Sequence, residues 1–241
     1  MTADPPSDAD AAAVIDAVDP KDAAVDPAAD DPKLAVFVVE DDPAVRESLA
    51  AILDEMAEDL YSYPTAEQFL LSYLQRMETH DQPLPGLLVL DVRMQGMSGL
   101  ELHREILRRN LPLAVLIHTG HGNVAMSVEA MRQGAVDVLE KPCEPQMLRN
   151  RVRDGLAQAR DIWEARVRNC KIVTREASLT ARESEVYHLL LEGLETKQIG
   201  HRLGISPSTV EKHRLKVFDK MGVDTVPRLI RYVLDNTNEQ R

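Results

Sequence analysis

LLVLDVRMQGMSGLEL, residues 87–102, holds the logic of the fold in sixteen positions. Leu87–Leu90 is an uninterrupted apolar run, as expected of a strand buried on both faces of a parallel sheet. Asp91 stands at its carboxyl end. Ser98-Gly99-Leu100-Glu101 then has the spacing of a capping box, in which the Ser and Glu side chains each satisfy a backbone N–H at a helix start. The stretch therefore reads strand, acid, capped helix, with the helix running to about Arg109.

The same unit repeats on either side. Upstream, Leu34–Val39 is a buried strand, followed by Asp42 as a helix cap and Pro43 at the first helical position, opening a helix to about Ala57. A weaker strand near Leu60–Tyr63 follows, and Thr65 to Gln68 has capping-box spacing for a helix to about Met77. Downstream come a strand at Leu113–His118, a helix at Val124–Gln133 and a strand at Val136–Glu140. Five strands alternating with helices predict a doubly wound, parallel α/β domain. A mixed-charge helical stretch runs from Pro145 toward Arg168, residues 169–177 read as a linker, and the chain from Ser178 onward is helical in period, a small all-α domain.

Composition limits the function classes. The 241 residues are 44% hydrophobic, enough for two cored domains. No apolar run approaches the ~20 residues needed to cross a bilayer, and the N-terminus lacks a charged-then-apolar signal pattern, so no membrane association is expected. Two cysteines, Cys143 and Cys170, make neither a disulfide framework nor a zinc site, which points to a reducing cytoplasm. The net charge of −12 argues against indiscriminate nucleic-acid binding by the whole chain. That charge is uneven: residues 1–32, with ten Ala, nine Asp and five Pro, carry −8, residues 33–174 carry −5, and residues 175–241 carry +1. The 1–32 segment has too little bulky apolar surface to offset the entropy of ordering and is expected to be a disordered, solvating acidic tail.

In an open parallel sheet, ligands collect beyond the carboxyl ends of the strands. Those ends present Glu40 and Asp41, Asp91, Thr119, and Lys141-Pro142. A lone Asp after a strand is usually a cap or turn residue, and a lone Lys before Pro is usually surface. Three carboxylates, a hydroxyl and an ammonium converging from four strands are a different matter. Clustered carboxylates suit a hard cation such as Mg2+. A carboxylate can also attack phosphorus to give an acyl phosphate, with cation, ammonium and hydroxyl stabilising the phosphoryl charge.

The segments VVEDDPAVRESL (38–49), LLVLDVRMQGMSGLEL (87–102) and HTGHGNVAMSVEAMRQGAVDVLEKP (118–142) resemble the receiver domain of two-component response regulators, over residues 33–158. The resemblance implies a flavodoxin-like fold, Asp91 as phospho-acceptor, and Thr119 and Lys141 as its partners. It implies Mg2+ ligation by Asp41, Asp91 and the Arg93 backbone carbonyl, with Glu40 acting through a water. It also implies a cis Lys141-Pro142 peptide. Two positions depart from the family. Val138 stands where an aromatic ring ordinarily swings to report phosphorylation, and Cys143 stands where an aromatic commonly follows the Lys-Pro pair. Arg93 and His121, two residues beyond Asp91 and Thr119, are placed to flank an attacking water and tune the lifetime of the acyl phosphate.

In the C-terminal third, Thr180-Ala181-Arg182-Glu183 is a capping box for a helix to about Glu192. A second helix covers Thr196–Leu203, Gly204-Ile205 turn, and Ser206 with Pro207 opens a third helix carrying Lys212, His213, Arg214, Lys216 and Lys220. A short helix, a tight turn and a capped basic helix form a helix-turn-helix reader. A last helix spans about Val226–Leu234. The stretch LTARESEVYHLLLEGLETKQIGHRLGISPSTVEKHRLKVFDKMGV (179–223) resembles the LuxR-type DNA-binding domain, within 178–241; coupled to a receiver, it points to the FixJ/NarL group. The resemblance puts the third helix in the major groove of promoter DNA. Lys212 and Arg214 are expected at base edges or nearby phosphates, Lys197 and Lys216 on the backbone, and Ser208, Thr209 and His213 among the remaining contacts. Glu211 could accept from cytosine N4.

The expectation is thus a DNA-binding response regulator, with residues 159–177 as helical connector and linker. It takes a phosphoryl group on Asp91 from a sensor histidine kinase, dimerises through its fourth-helix/fifth-strand face, and regulates transcription, with RNA polymerase a further partner. Two alternatives compete. A haloacid-dehalogenase-like phosphatase would carry an acid two residues after its nucleophile, where this chain has Arg93, and no substrate cap is visible; no enzyme beyond self-phosphorylation and dephosphorylation is expected. The other is a phosphate-independent DNA binder, motivated by Val138.

Overall fold

A computed structural model describes residues 32–80, 83–120 and 124–237. The expected acidic tail, apart from Pro32, and His121 lie outside the described residues. The chain divides into two compact units between Glu164 and Ala165.

In the first unit, β1 (Ala35–Val39), β2 (Asp59–Tyr63), β3 (Gly86–Leu90), β4 (Leu113–Thr119) and β5 (Asp137–Glu140) form one parallel sheet in the order β2-β1-β3-β4-β5. That is the doubly wound order, with its crevice where the winding reverses between β1 and β3. The helices between the strands are α1 (Pro43–Leu53), α2 (Ala66–His80), α3 (Gly99–Arg108) and α4 (Val124–Arg132). Because side chains alternate along a strand, Ala35, Phe37 and Val39 enter a core with Phe69, Tyr73, Leu102 and Ile106, while Val36 and Val38 enter a second with Leu49, Leu53, Leu148 and Val152. Both strand faces are buried, which is why β1 and β3 are uniformly apolar.

The register positions the functional end. Val39 lies opposite Leu90, so Glu40 and Asp91 leave the sheet side by side; Leu90 lies opposite Ile117 and Thr119 opposite Glu140, which brings Thr119 and Lys141 alongside.

Helix α5 (Pro145–Ala177) overturns one expectation. Residues 169–177 are helix, not linker. No Gly or Pro interrupts the chain between Gly155 and Gly193, and the final turns are tied down by distant residues. Arg175 donates to the Met221 carbonyl (2.8 Å) and the Tyr232 hydroxyl (3.0 Å), and Glu176 accepts from the Tyr187 hydroxyl. The first unit also extends beyond 158, because Ala159 is buried in its second core and Ile162 packs against it. Smaller differences are that α1 ends at Leu53 rather than near Ala57 and that β4 includes Thr119.

The second unit contains α6 (Ala181–Leu191), α7 (Thr196–Leu203), α8 (Pro207–Met221) and α9 (Val226–Thr237) around a core that includes Val186, Leu190, Ile199, Val210, Val217 and Leu229. The Thr180 capping box forms as read, and Ser206 caps α8 by accepting from the Thr209 N–H. The α7–α8 turn depends on two glycines. Gly204 adopts φ +64°, and a Cβ on Gly200 would sit 2.8 Å from the Ile205 carbonyl oxygen.

Candidate functional site

The pocket at the strand ends is built by backbone first. The Asp91 N–H donates to the Val39 carbonyl (2.9 Å), and the Lys141 N–H donates to that of Thr119 (2.8 Å). Arg46, on α1, donates to the Glu40 carbonyl (2.8 Å) and the Asp41 carbonyl (3.3 Å), fixing the acidic turn. Gly99 packs so closely beneath Asp91 that a Cβ there would lie 2.1 Å from the Asp91 carbonyl oxygen. Glu67, on α2, accepts from the Met97 N–H (2.6 Å) and steadies the loop between β3 and α3. The sequence gives no local sign of these roles for Arg46, Gly99 and Glu67, because their partners become adjacent only when the sheet forms.

The side chains converge as their sequence positions suggested. Glu40 is 2% exposed, Asp91 6% and Thr119 0%, whereas Asp41 is open to solvent. Lys141 Nζ lies 2.5 Å from Glu40 Oε2 and 3.0 Å from Asp91 Oδ1, bridging the two buried acids. The Lys141-Pro142 peptide is cis. Ligand oxygens of Glu40, Asp41 and Asp91 fall within 4.8 Å of one another. The three carboxylates thus offer the all-oxygen donor set a hard cation takes, at the spacing one ion can bridge. Burial pushes the Glu40 carboxyl above its usual range, with the Lys141 ammonium opposing that shift. The Arg93 N–H donates to Asp91 Oδ2 (3.2 Å), and its side chain is exposed.

Beside Lys141 opens a mainly apolar cavity of about 500 Å³, lined by Val45, Leu49, Ile52, His118 and Cys143. Cys143, which stands where the family commonly has an aromatic, meets a buried histidine: its Sγ lies 3.4 Å from His118 Nε2. Burial, then the nearby Lys141 charge, depresses the His118 pKa to about 4, and burial raises the Cys143 thiol. Both shifts favour the neutral forms near pH 7. Val138 packs against the core that holds Phe69 and Leu102. With no ring and a stiff χ1, it has nothing to swing.

In the second unit the basic residues of α8 part company. Ser208, Lys212 and Lys216 are exposed, as is Lys197 on α7. Thr209 and Ser208 place their hydroxyls 2.8 and 2.9 Å from Ser206 Oγ, within the helix cap. His213 is half-buried, with Nδ1 buried and without a hydrogen-bond partner. Arg214 is also half-buried, its guanidinium 5.2 Å from the Phe218 ring centroid and 3.3 Å from Glu211. Glu211 in turn accepts from the Thr196 hydroxyl at 2.6 Å.

A carboxylate pocket at the switch point of a doubly wound sheet, and a capped basic helix on a separate helical unit, define a response regulator with a DNA-reading output. Residues 36–153 match the response regulator receiver domain, and residues 177–233 match the bacterial regulatory proteins of the luxR family. The chain is 39% identical over 204 residues to the transcriptional regulatory protein FixJ of Azorhizobium caulinodans, covering 83% of this chain and 92% of that protein. It is 34% identical over 199 residues to the transcriptional regulatory protein TdiR of Thauera aromatica, covering 83% and 85%. The solved structure of the response regulator StyR, 34% identical, matches with a TM-score of 0.65 over 84% of this chain and 99% of that one. The chain belongs to the FixJ-type response regulators, transcriptional regulators that couple a receiver domain to a LuxR-type helix-turn-helix.

Proposed function

We propose that Asp91 accepts a phosphoryl group from the phosphohistidine of a sensor kinase, and that this modification controls DNA binding through α8. The observation that carries the reading is the Lys141 ammonium set between buried Glu40 and Asp91 at the strand ends. One carboxylate oxygen of Asp91 attacks phosphorus as the phosphorus–nitrogen bond to the kinase histidine breaks, leaving an acyl phosphate on Asp91. Lys141 stays beside the new phosphoryl group and offsets its charge, while the Thr119 hydroxyl donates to one of its oxygens. Asp41 and Asp91, the Arg93 carbonyl, and Glu40 through a water would hold Mg2+, which supplies positive charge against the crowded acids and phosphoryl oxygens. Water later attacks the same phosphorus, breaking its bond to the carboxylate oxygen, so that inorganic phosphate leaves and Asp91 is restored; beyond this self-directed chemistry no enzymatic activity is proposed.

The acyl phosphate shifts a two-state receiver toward the form that dimerises. Support for a dimer face on α4 comes from Val124, 81% exposed, with Val128 and Met131 also exposed at helical spacing along one stripe. Two copies then present two recognition helices to paired half-sites of promoter DNA. Among the described residues no helix is long and apolar enough to cross a membrane; we place the protein in the bacterial cytoplasm, with its kinase and RNA polymerase as partners.

The test is intact mass after incubation with acetyl phosphate and Mg2+, for wild type and Asp91→Asn. A single phosphoryl adduct in wild type alone supports the reading. A folded protein that gains no adduct, yet binds promoter DNA equally with and without Asp91, would move the assignment to a phosphate-independent DNA binder, the second reading that Val138 favours.

A further inference from the structure

We propose that Leu215 is a specificity-determining residue, reading the 5-methyl group of a thymine in the major groove. This rests on the placement of α8 in the major groove argued above. Along α8 beyond Pro207 the exposed residues are Ser208, Glu211, Lys212, Leu215, Lys216 and Asp219. At ~100° per residue they form one face, with Ser208, Leu215 and Asp219 along its middle, Lys212 and Lys216 on one flank and Glu211 on the other. The domain core is closed without Leu215: Val210, Val217, Phe218 and Met221 occupy the opposite face and are buried. Leu215 is nonetheless 66% exposed.

A single exposed leucine elsewhere on a surface needs no explanation. This one lies at the centre of the face that enters the groove, with two lysines on one flank whose charges suit phosphate. Three groups that could compete for base edges are held by the protein, while Lys212 and Asp219 stay exposed. Arg214 stacks over Phe218 and pairs with Glu211, and Glu211 accepts from Thr196. Ser208 points its hydroxyl to the cap at Ser206. Between Ser208 and Asp219 in the middle of the face, the group offered to a base pair is therefore the apolar side chain of Leu215. The apolar group that a base pair shows in the major groove is the thymine methyl, and its burial against an aliphatic side chain discriminates thymine from cytosine.

The experiment starts from duplexes enriched from a random-sequence library by the full-length protein after treatment with acetyl phosphate and Mg2+. Each thymine of the enriched half-site is then replaced by deoxyuridine, which removes only the methyl group. At one position, wild type should bind about fourfold more weakly per methyl removed, the effect of leaving one methyl-sized group unburied. Leu215→Ala and Leu215→Lys should bind thymine and deoxyuridine duplexes alike. An enriched site without a sensitive thymine would overturn the proposal, as would variants that lose affinity yet keep the methyl discrimination. Failure to enrich any sequence would overturn the DNA-binding reading itself, a distinguishable outcome.

Discussion

Glu183 shows how a single side chain can serve both a helix end and a tertiary contact. Its carboxylate accepts from the Thr180 N–H (2.9 Å), completing the capping box, and from Lys220 Nζ (2.6 Å) on the far end of α8. Lys220 first, then the cap, hold its pKa at about 2, below the ordinary 4.5. A depressed carboxyl stabilises the folded state fully above its unfolded pKa and ceases to do so as pH falls through the folded value. Glu183→Gln is therefore expected to be less stable than wild type at pH 7, with the difference shrinking from about pH 4.5 toward about 2. Denaturant melts across that range measure it, and a difference that did not change with pH would contradict the assignment. The sequence displayed the cap through its Thr-x-x-Glu spacing, but not the lysine, which arrives from 37 residues away. The same holds for the pocket at the strand ends: Asp91, Glu40 and Lys141 could be named from their places after strands, whereas the 2.5 and 3.0 Å contacts among them follow from the sheet register.

At the scale of elements, α3 separates the contribution of a cap from that of close packing. Ser98 and Glu101 cap its N-terminus reciprocally, so Ser98→Ala should cost about 1 kcal/mol and leave phosphorylation of Asp91 largely intact. Gly99→Ala, one residue on, drives a methyl into the Asp91 carbonyl. It should cost about 1–3 kcal/mol of strain and also slow phosphorylation by acetyl phosphate, because the displaced backbone carries the acceptor. Chemical denaturation and phosphorylation time courses on the two variants separate the effects; equal phosphorylation rates would count against Gly99 as a positioning residue. Strands β1 and β3 and the caps at Ser98, Thr180 and Ser206 were legible because each is a local pattern. The last turns of α5 were not, since Arg175 and Glu176 find their partners on α8, α9 and α6.

For the whole molecule, the proposed function draws on two exposed surfaces, the stripe on α4 and the outer face of α8. Val128→Glu on the exposed stripe of α4 should leave the phosphoryl adduct on Asp91 unchanged in mass spectrometry while abolishing phosphorylation-dependent dimers in sedimentation; a dimer that persists would relocate the interface. On the DNA side, Lys216→Ala should weaken binding roughly equally across sequences and reduce the salt slope of log K by about 1. Binding isotherms at several salt concentrations read it, and an unchanged slope would remove Lys216 from the phosphate contacts. The overall charge of −12 does not oppose this, since residues 175–241 carry +1 and most of the acidity lies in 1–32.

The sequence by itself determined the alternation of buried strands and capped helices, the acids, hydroxyl and lysine at the strand ends, and the capped basic helix of the reader. Those are features of neighbouring residues, set by side-chain periodicity and backbone hydrogen-bond needs that act over a few positions. Tertiary structure alone decided that Lys141 bridges Glu40 and Asp91, that Gly99 must be a glycine, and that Cys143 meets His118. It also turned Arg214 toward Phe218 and left Leu215 facing outward. Those outcomes depend on which distant surfaces pack together, and packing is settled by strand register and core closure rather than by any local spacing.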